Sequence, residues 1–299
     1  MRQRFEYVFT WCLVQALGLP PRPLARRVGA VLGALAYRFV PRLRRVGHRN
    51  LQLAFPEKSP WERGRILRDM YRSLGWQLAE FCQMPHTTSD QANRIVRYEG
   101  LENYIAARDR GKGVLVLTGH LGAWELSSFY HSLFGHPMSM VIRRLDNPHV
   151  DALVNRIRCL HGNRVLHKDD FARGLIAAMR AGGTVGILMD TNMTPPQGVF
   201  VDFFGHAACT GSGMARIALR TGAAVVPGFL LWAPAEKKYV LHFLPALELA
   251  RTGDDDADAQ ANTQIFTKTL EDIIRRSPEQ WLWVHRRWKT RPEGEAPLY

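Results

Sequence analysis

Apolar positions along the chain follow two rhythms. Unbroken short runs at residues 95–98, 114–117, 138–142, 184–189, 224–231 and 239–244 read as buried strands. Between them, apolar residues recur every three or four positions, which predicts helices. These cover residues 101–110, 148–160, 169–180, 213–220 and 260–276, and the stretch that starts at Leu121 and continues through Trp124, Leu126, Phe129 and Leu133. Strands alternating with helices predict an α/β fold with a mainly parallel or mixed central sheet flanked by helices. Ahead of the sheet, residues 60–84 form a long amphipathic pattern with Ile66, Leu67, Met70, Leu74 and Leu78 on one side. Its start is well marked, with Ser59 as cap, Pro60 in the first turn and Glu62 completing a capping box; Pro85 stops it.

The first forty residues break the alternation. Residues 5–19 and 28–40 are apolar, separated by a proline-rich break and flanked by Arg26 and Arg27. Neither reaches the roughly 20 residues of a spanning helix. Ala34-Leu35-Ala36 resembles a leader-cleavage site, but the arginines and prolines before it interrupt the apolar region such a leader needs. Residues 1–43 therefore read as a membrane-associated helical segment lying at the interface, with arginines toward lipid phosphates; a pair of core helices is the other reading. Residues 44–299 read as a single α/β domain. The acidic run 251–258 reads as an unstructured loop.

Charge changes the picture. A net charge of +13 over 299 residues points to an anionic partner: a membrane surface, an acidic protein or lipid, or nucleic acid. The four cysteines have no CxxC spacing, so neither a zinc site nor a disulfide framework is expected. The chain shows no internal repeat. Its tail, WLWVHRRWKTR at residues 281–291, interleaves tryptophans and cations. That composition suits a membrane interface or a single nucleic-acid strand, with core tryptophans as the structural alternative.

Candidate chemistry gathers at strand ends, where open α/β sheets bind ligands. His120 follows the run 114–117 after Gly119, and Glu125 lies five residues on. Within one regular helix those two side chains would diverge by about 140°. If His120 precedes the first turn and folds back, an imidazole and a carboxylate meet: a general base with an orienting partner. A capping histidine and a solvated glutamate form the bland alternative. Arg143 and Asp190 end two other strands: Arg143 to hold a phosphate or stabilise an oxyanion, Asp190 to orient a sugar hydroxyl or a basic partner, or both in an ion pair at the sheet edge, with each other as one option. The segment Thr210-Gly211-Ser212-Gly213 is more simply a loop than a phosphate cradle.

His120-Leu-Gly-Ala-Trp-Glu125 resembles the HxxxxD/E motif of glycerolipid and lipid A acyltransferases. RNLQLAFPEKSPWERGRIL at Arg49–Leu67, RRLDNP at Arg143–Pro148, the strand-end Asp190, VFVDFFG at Val199–Gly205 and HRRWKTRPEG at His285–Gly294 resemble the late acyltransferases of lipid A synthesis, in order and over nearly the whole chain. The resemblance implies transfer of a fatty acyl chain from the phosphopantetheine of acyl carrier protein to a hydroxyl of a lipid A precursor, at the cytoplasmic face of the bacterial inner membrane. It implies His120 and Glu125 as the catalytic pair. Arg143 and Asp190, at their strand ends, are the expected substrate-binding residues; no metal is required because a thioester is already activated, and no dissociable cofactor or nucleic acid is expected. The expected partners are acyl carrier protein, an anionic glycolipid acceptor and the membrane surface. An acyltransferase for another glycolipid or a lysophospholipid is the near alternative, and a non-catalytic basic membrane-binding protein the distant one. No GxSxG elbow is present for a serine acyl-enzyme.

Overall fold

Val114, Leu115, Val116 and Leu117 carry no polar side chain, so this strand is stable only in a sheet covered on both faces. It lies at the centre of one. The structure, a computed structural model, describes residues 1–167 and 171–299. The helices α1 (Arg2–Gly18), α2 (Arg22–Phe39), α3 (Pro41–Ala54), α4 (Pro60–Gln83) and α5 (Ser89–Ile95) precede the sheet. Then follow β1 (Val96–Glu99), α6 (Leu101–Asp109), β2 (Val114–Thr118), α7 (Trp124–Leu133), β3 (Ser139–Ile142), α8 (Pro148–Arg158), β4 (Arg164–His167), α9 (Phe171–Arg180) and β5 (Thr184–Leu188). The hairpin β6 (Gly198–Phe203) and β7 (His206–Gly211) leads to α10 (Gly213–Thr221), β8 (Ala224–Ala233), β9 (Lys238–Phe243) and α11 (Asp255–Arg276).

Among the described residues the main sheet has seven strands in the order β1-β9-β8-β2-β5-β3-β4. Strands β8, β2, β5, β3 and β4 run parallel; β9 is antiparallel to β8, and β1 follows the direction of β9. The alternation thus predicts the architecture correctly, with a mixed edge. Chain order and spatial order differ at two places: β9 and β8 lie between β1 and β2, and β5 inserts between β2 and β3.

Ser59 and Glu62 form the expected reciprocal cap of α4. Helix α3 was hidden in the pattern because its inner face is small, Gly47, Asn50, Leu51 and Ala54, and the rest is mostly polar. The short α5, β4 and the β6–β7 hairpin also had no clear periodic signal, and Thr210 and Gly211 close β7 instead of forming a loop. The acidic run is likewise not an unstructured loop. Asp254 caps α11 by accepting from the Asp256 and Ala257 amides at 3.0 Å, and Asp258 accepts from the Thr252 amide at 2.7 Å. Carboxylates gathered there favour a helix N-terminus. Of the predicted helix 169–180, Asp169 and Asp170 lie outside the described residues.

Helix α2 has two unlike faces. Ala25, Gly29 and Gly33 press against α4 so closely that a Cβ on Gly29 would stand 2.1 Å from the Gly75 carbonyl oxygen. Leu24, Val28, Val31, Leu35 and Phe39 point outward and are exposed. Among the described residues no helix is long and apolar enough to cross a membrane. In the tail, Trp281, Trp283 and Trp288 are fully buried core residues, and so is Arg287, whose guanidinium serves the Cys209 carbonyl and the Thr210 hydroxyl.

Candidate active site

Strands β2 and β5 pair in register, with Thr118 opposite Leu188. Two residues further along each strand, His120 meets Asp190. The imidazole Nδ1 lies 2.9 Å from Asp190 Oδ1, and the His120 amide donates to Oδ2 at 2.7 Å. The Trp281 indole N–H donates to the same oxygen at 2.8 Å. Burial alone would raise this carboxyl's pKa. The neighbouring His120 and His285 rings and the indole donor outweigh burial and hold Asp190 well below the usual carboxylate range. Asp190 is therefore an ionised, fully buried carboxylate, while the His120 side chain keeps 23% of its exposure.

Glycines make the approach possible. A Cβ on Gly119 would stand 3.1 Å from the Asp190 carboxylate carbon, and one on Gly122, at φ 60°, would stand 2.1 Å from the Leu230 carbonyl oxygen. The loop is also strapped from outside by the tail. Leu282 N donates to His120 O and Gly122 N to Gln280 O, both at 2.9 Å, while Ala123 N donates to Leu230 O at 2.8 Å. The His285 ring bridges Leu282 O and Asp190 O at 2.9 and 3.0 Å. The amides of His120, Gly122 and Ala123 are thus committed to the scaffold. Helix α7 starts at Trp124 with no side-chain cap.

Glu125 occupies that first turn of α7. Its carboxylate forms a two-point ion pair with Arg158 of α8, at 2.8 Å to Nε and 2.5 Å to Nη2. Asp190 thus supplies a carboxylate to Nδ1 that the expected pairing of His120 with Glu125 did not include. Register explains this: β5 is the immediate neighbour of β2, and residue 190 arrives level with residue 120. Glu125 and Arg158 line a narrow cavity with Trp124, walled by Val116, Met138, Met140, Ile142, Leu188 and Phe243. Gly186 and Gly228 open its floor.

Arg143 follows β3, one strand beyond β5, and is separated from β2 by it. Its side chain is 76% exposed and pairs with Asp146 at 3.0 Å, not with Asp190. Sequence reasoning missed Arg158, Trp281 and His285. Arg158 has no local signal, being one basic residue in a helix; the other two lie in the tail whose composition had been noted. Among the described residues no group of three His, Cys, Asp or Glu side chains could hold a metal ion.

Known proteins resemble this chain over nearly its whole length. The description of bacterial lipid A biosynthesis acyltransferases matches residues 2–290. The chain is 32% identical to the lipid A biosynthesis lauroyltransferase of Escherichia coli K12, over 98% of this chain and 95% of that one. It is 30% identical to the palmitoleoyltransferase of the same strain over the same shares, and 26% identical to its myristoyltransferase over 98% and 91%.

Proposed function

Because this chain belongs to the bacterial lipid A biosynthesis acyltransferases, we propose that it moves a fatty acyl chain from an acyl carrier protein thioester to a hydroxyl of a lipid A precursor, with His120 as general base. The pairing of His120 with a buried, ionised Asp190 beside an apolar cavity carries this reading. Asp190 on Nδ1 favours the tautomer with its proton on that nitrogen, which makes Nε2 the basic nitrogen for the hydroxyl proton. The acceptor oxygen attacks the thioester carbonyl, the carbon–sulfur bond breaks, and the imidazolium returns its proton to the departing thiolate. Positive potential for the oxyanion comes from the uncapped start of α7 and from Arg158, which Glu125 holds in place. The acyl chain enters the cavity between Met138, Met140 and Phe243. Relatives named for lauroyl, palmitoleoyl and myristoyl groups match at comparable identity, so chain length is a property of this cavity and not of the family.

The net charge of +13 suits both the acidic carrier and the phosphates of the acceptor. The exposed stripe of α2 suits a bilayer surface, so the enzyme works at the cytoplasmic face of the inner membrane as an interfacial protein. Purified full-length protein, given a lipid A precursor and acyl chains on either carrier protein or coenzyme A, should form the acylated product and prefer the carrier. Lipid A from a deletion strain should lack one secondary acyl chain by mass spectrometry. Unaltered lipid A together with no transfer from either donor would overturn the assignment.

A further inference from the structure

Helix α1 carries an outward stripe, Phe5, Val8 and Phe9, that no described residue covers; these side chains are 74%, 54% and 64% exposed. Its other face reaches the start of α8. Asn147, nine-tenths buried, donates through Nδ2 to the Gln3 carbonyl at 2.8 Å and to the Glu6 carboxylate at 2.9 Å. The same side chain caps α8, its Oδ1 accepting from the His149 and Val150 amides at 3.0 and 3.4 Å. Helix α8 ends at Arg158, the partner of Glu125. One asparagine thus joins an exposed apolar helix to the helix that supplies the cavity's cation. The loop just before it, Arg143-Arg144-Leu145, is exposed at the sheet edge where the site opens.

We propose that α1 and the loop 143–147 form a single lipid-contacting rim, and that Asn147 couples docking of this rim on an anionic bilayer to the position of Arg158. This rests on the acyltransferase reading above for its catalytic part only. Apolar side chains on α1 and Leu145 enter the interface, while Arg4, Arg143 and Arg144 meet lipid phosphates. The exposed positions of α1 alternate with its inward ones at helical spacing, so the stripe faces away from the protein over at least two turns. A free acceptor would have to leave the bilayer; a docked rim brings its headgroup phosphates to the arginines beside the cavity.

Asn147→Asp separates capping from coupling. Aspartate still caps α8 but cannot donate to Gln3 and repels Glu6. With the full-length protein on vesicles of phosphatidylglycerol and phosphatidylethanolamine, this variant should sediment like wild type. It should transfer acyl chains to vesicle-embedded acceptor about tenfold more slowly, with detergent-dispersed acceptor within about twofold of wild type. Adding Glu6→Lys restores an attraction to residue 147 and should recover the vesicle rate. Equal rates in both formats would overturn the coupling. Leu145→Glu should weaken sedimentation as Phe9→Glu does, although the two residues are remote in sequence. Unchanged sedimentation of Leu145→Glu would overturn the shared rim, as would loss of carrier-protein binding in its place, which would make the patch a protein-docking surface. If wild type transfers nothing in either format, the acyltransferase reading fails while sedimentation still tests the rim.

Discussion

The end of β5 and the first turn of α7 each present a carboxylate to the same catalytic edge, in opposite ways. Asp190 is wholly buried, receives two N–H groups besides the imidazole, and pairs with a group that changes charge during catalysis. Glu125 is partly exposed and pairs with Arg158, a permanent cation. A carboxylate fixed on an imidazole sets a tautomer and stabilises a transient charge. A carboxylate fixed on a guanidinium only positions it. On the proposed mechanism the two acids divide the labour: Asp190 serves proton transfer, and Glu125 serves the position of Arg158 at the cavity.

This division breaks most readily at His120 and Asp190. His120→Ala and Asp190→Asn should each reduce turnover by about 10²–10⁴-fold with far-ultraviolet dichroism unchanged, the range for losing a general base. If Asp190→Asn keeps wild-type turnover, the pair is structural and Asp190 has no part in proton transfer.

A pH titration of stability sharpens the same point. Asp190 has a folded pKa held below its unfolded value, so its stabilisation is present above about pH 4, where an unfolded aspartate ionises, and is lost as pH falls below that toward the folded pKa. Asp190→Asn should flatten the acid limb of the melting-temperature profile; an unchanged limb would mean the carboxylate is not stabilised by its partners.

Glu125→Gln should cost less, about tenfold, with the pH dependence of kcat/KM unmoved, because Arg158 loosens while His120 keeps Asp190. A loss matching that of Asp190→Asn, with a shifted acid limb, would put Glu125 back on His120.

Arg143 should have the smallest effect. Its exposure and its pairing with exposed Asp146 make an oxyanion role the weaker of the two roles open to it. Arg143→Ala should raise KM for vesicle-bound acceptor about threefold with kcat intact, and Arg143→Lys should restore it, since a lipid phosphate at the surface needs charge more than a fork. A fall in kcat with KM unchanged would return Arg143 to the oxyanion.

Local pattern was enough for the α/β alternation, the capped α4 and the strand–glycine–histidine joint, because each depends on neighbours a few residues away. Resemblance of motifs was enough for the family. Which carboxylate serves His120 was not legible. That depends on β5, not β3, lying beside β2, and on a register that brings residue 190 level with residue 120. Strand order comes from how helices cover both faces of the sheet, a property of no single segment. Arg158 and His285 were equally out of reach, since the Glu125 carboxylate and the Asp190 backbone carbonyl they meet are 33 and 95 residues away along the chain. The acidic run at the start of α11 failed for the opposite reason: its carboxylates look like a solvated loop until backbone amides at the helix start are there to donate to them.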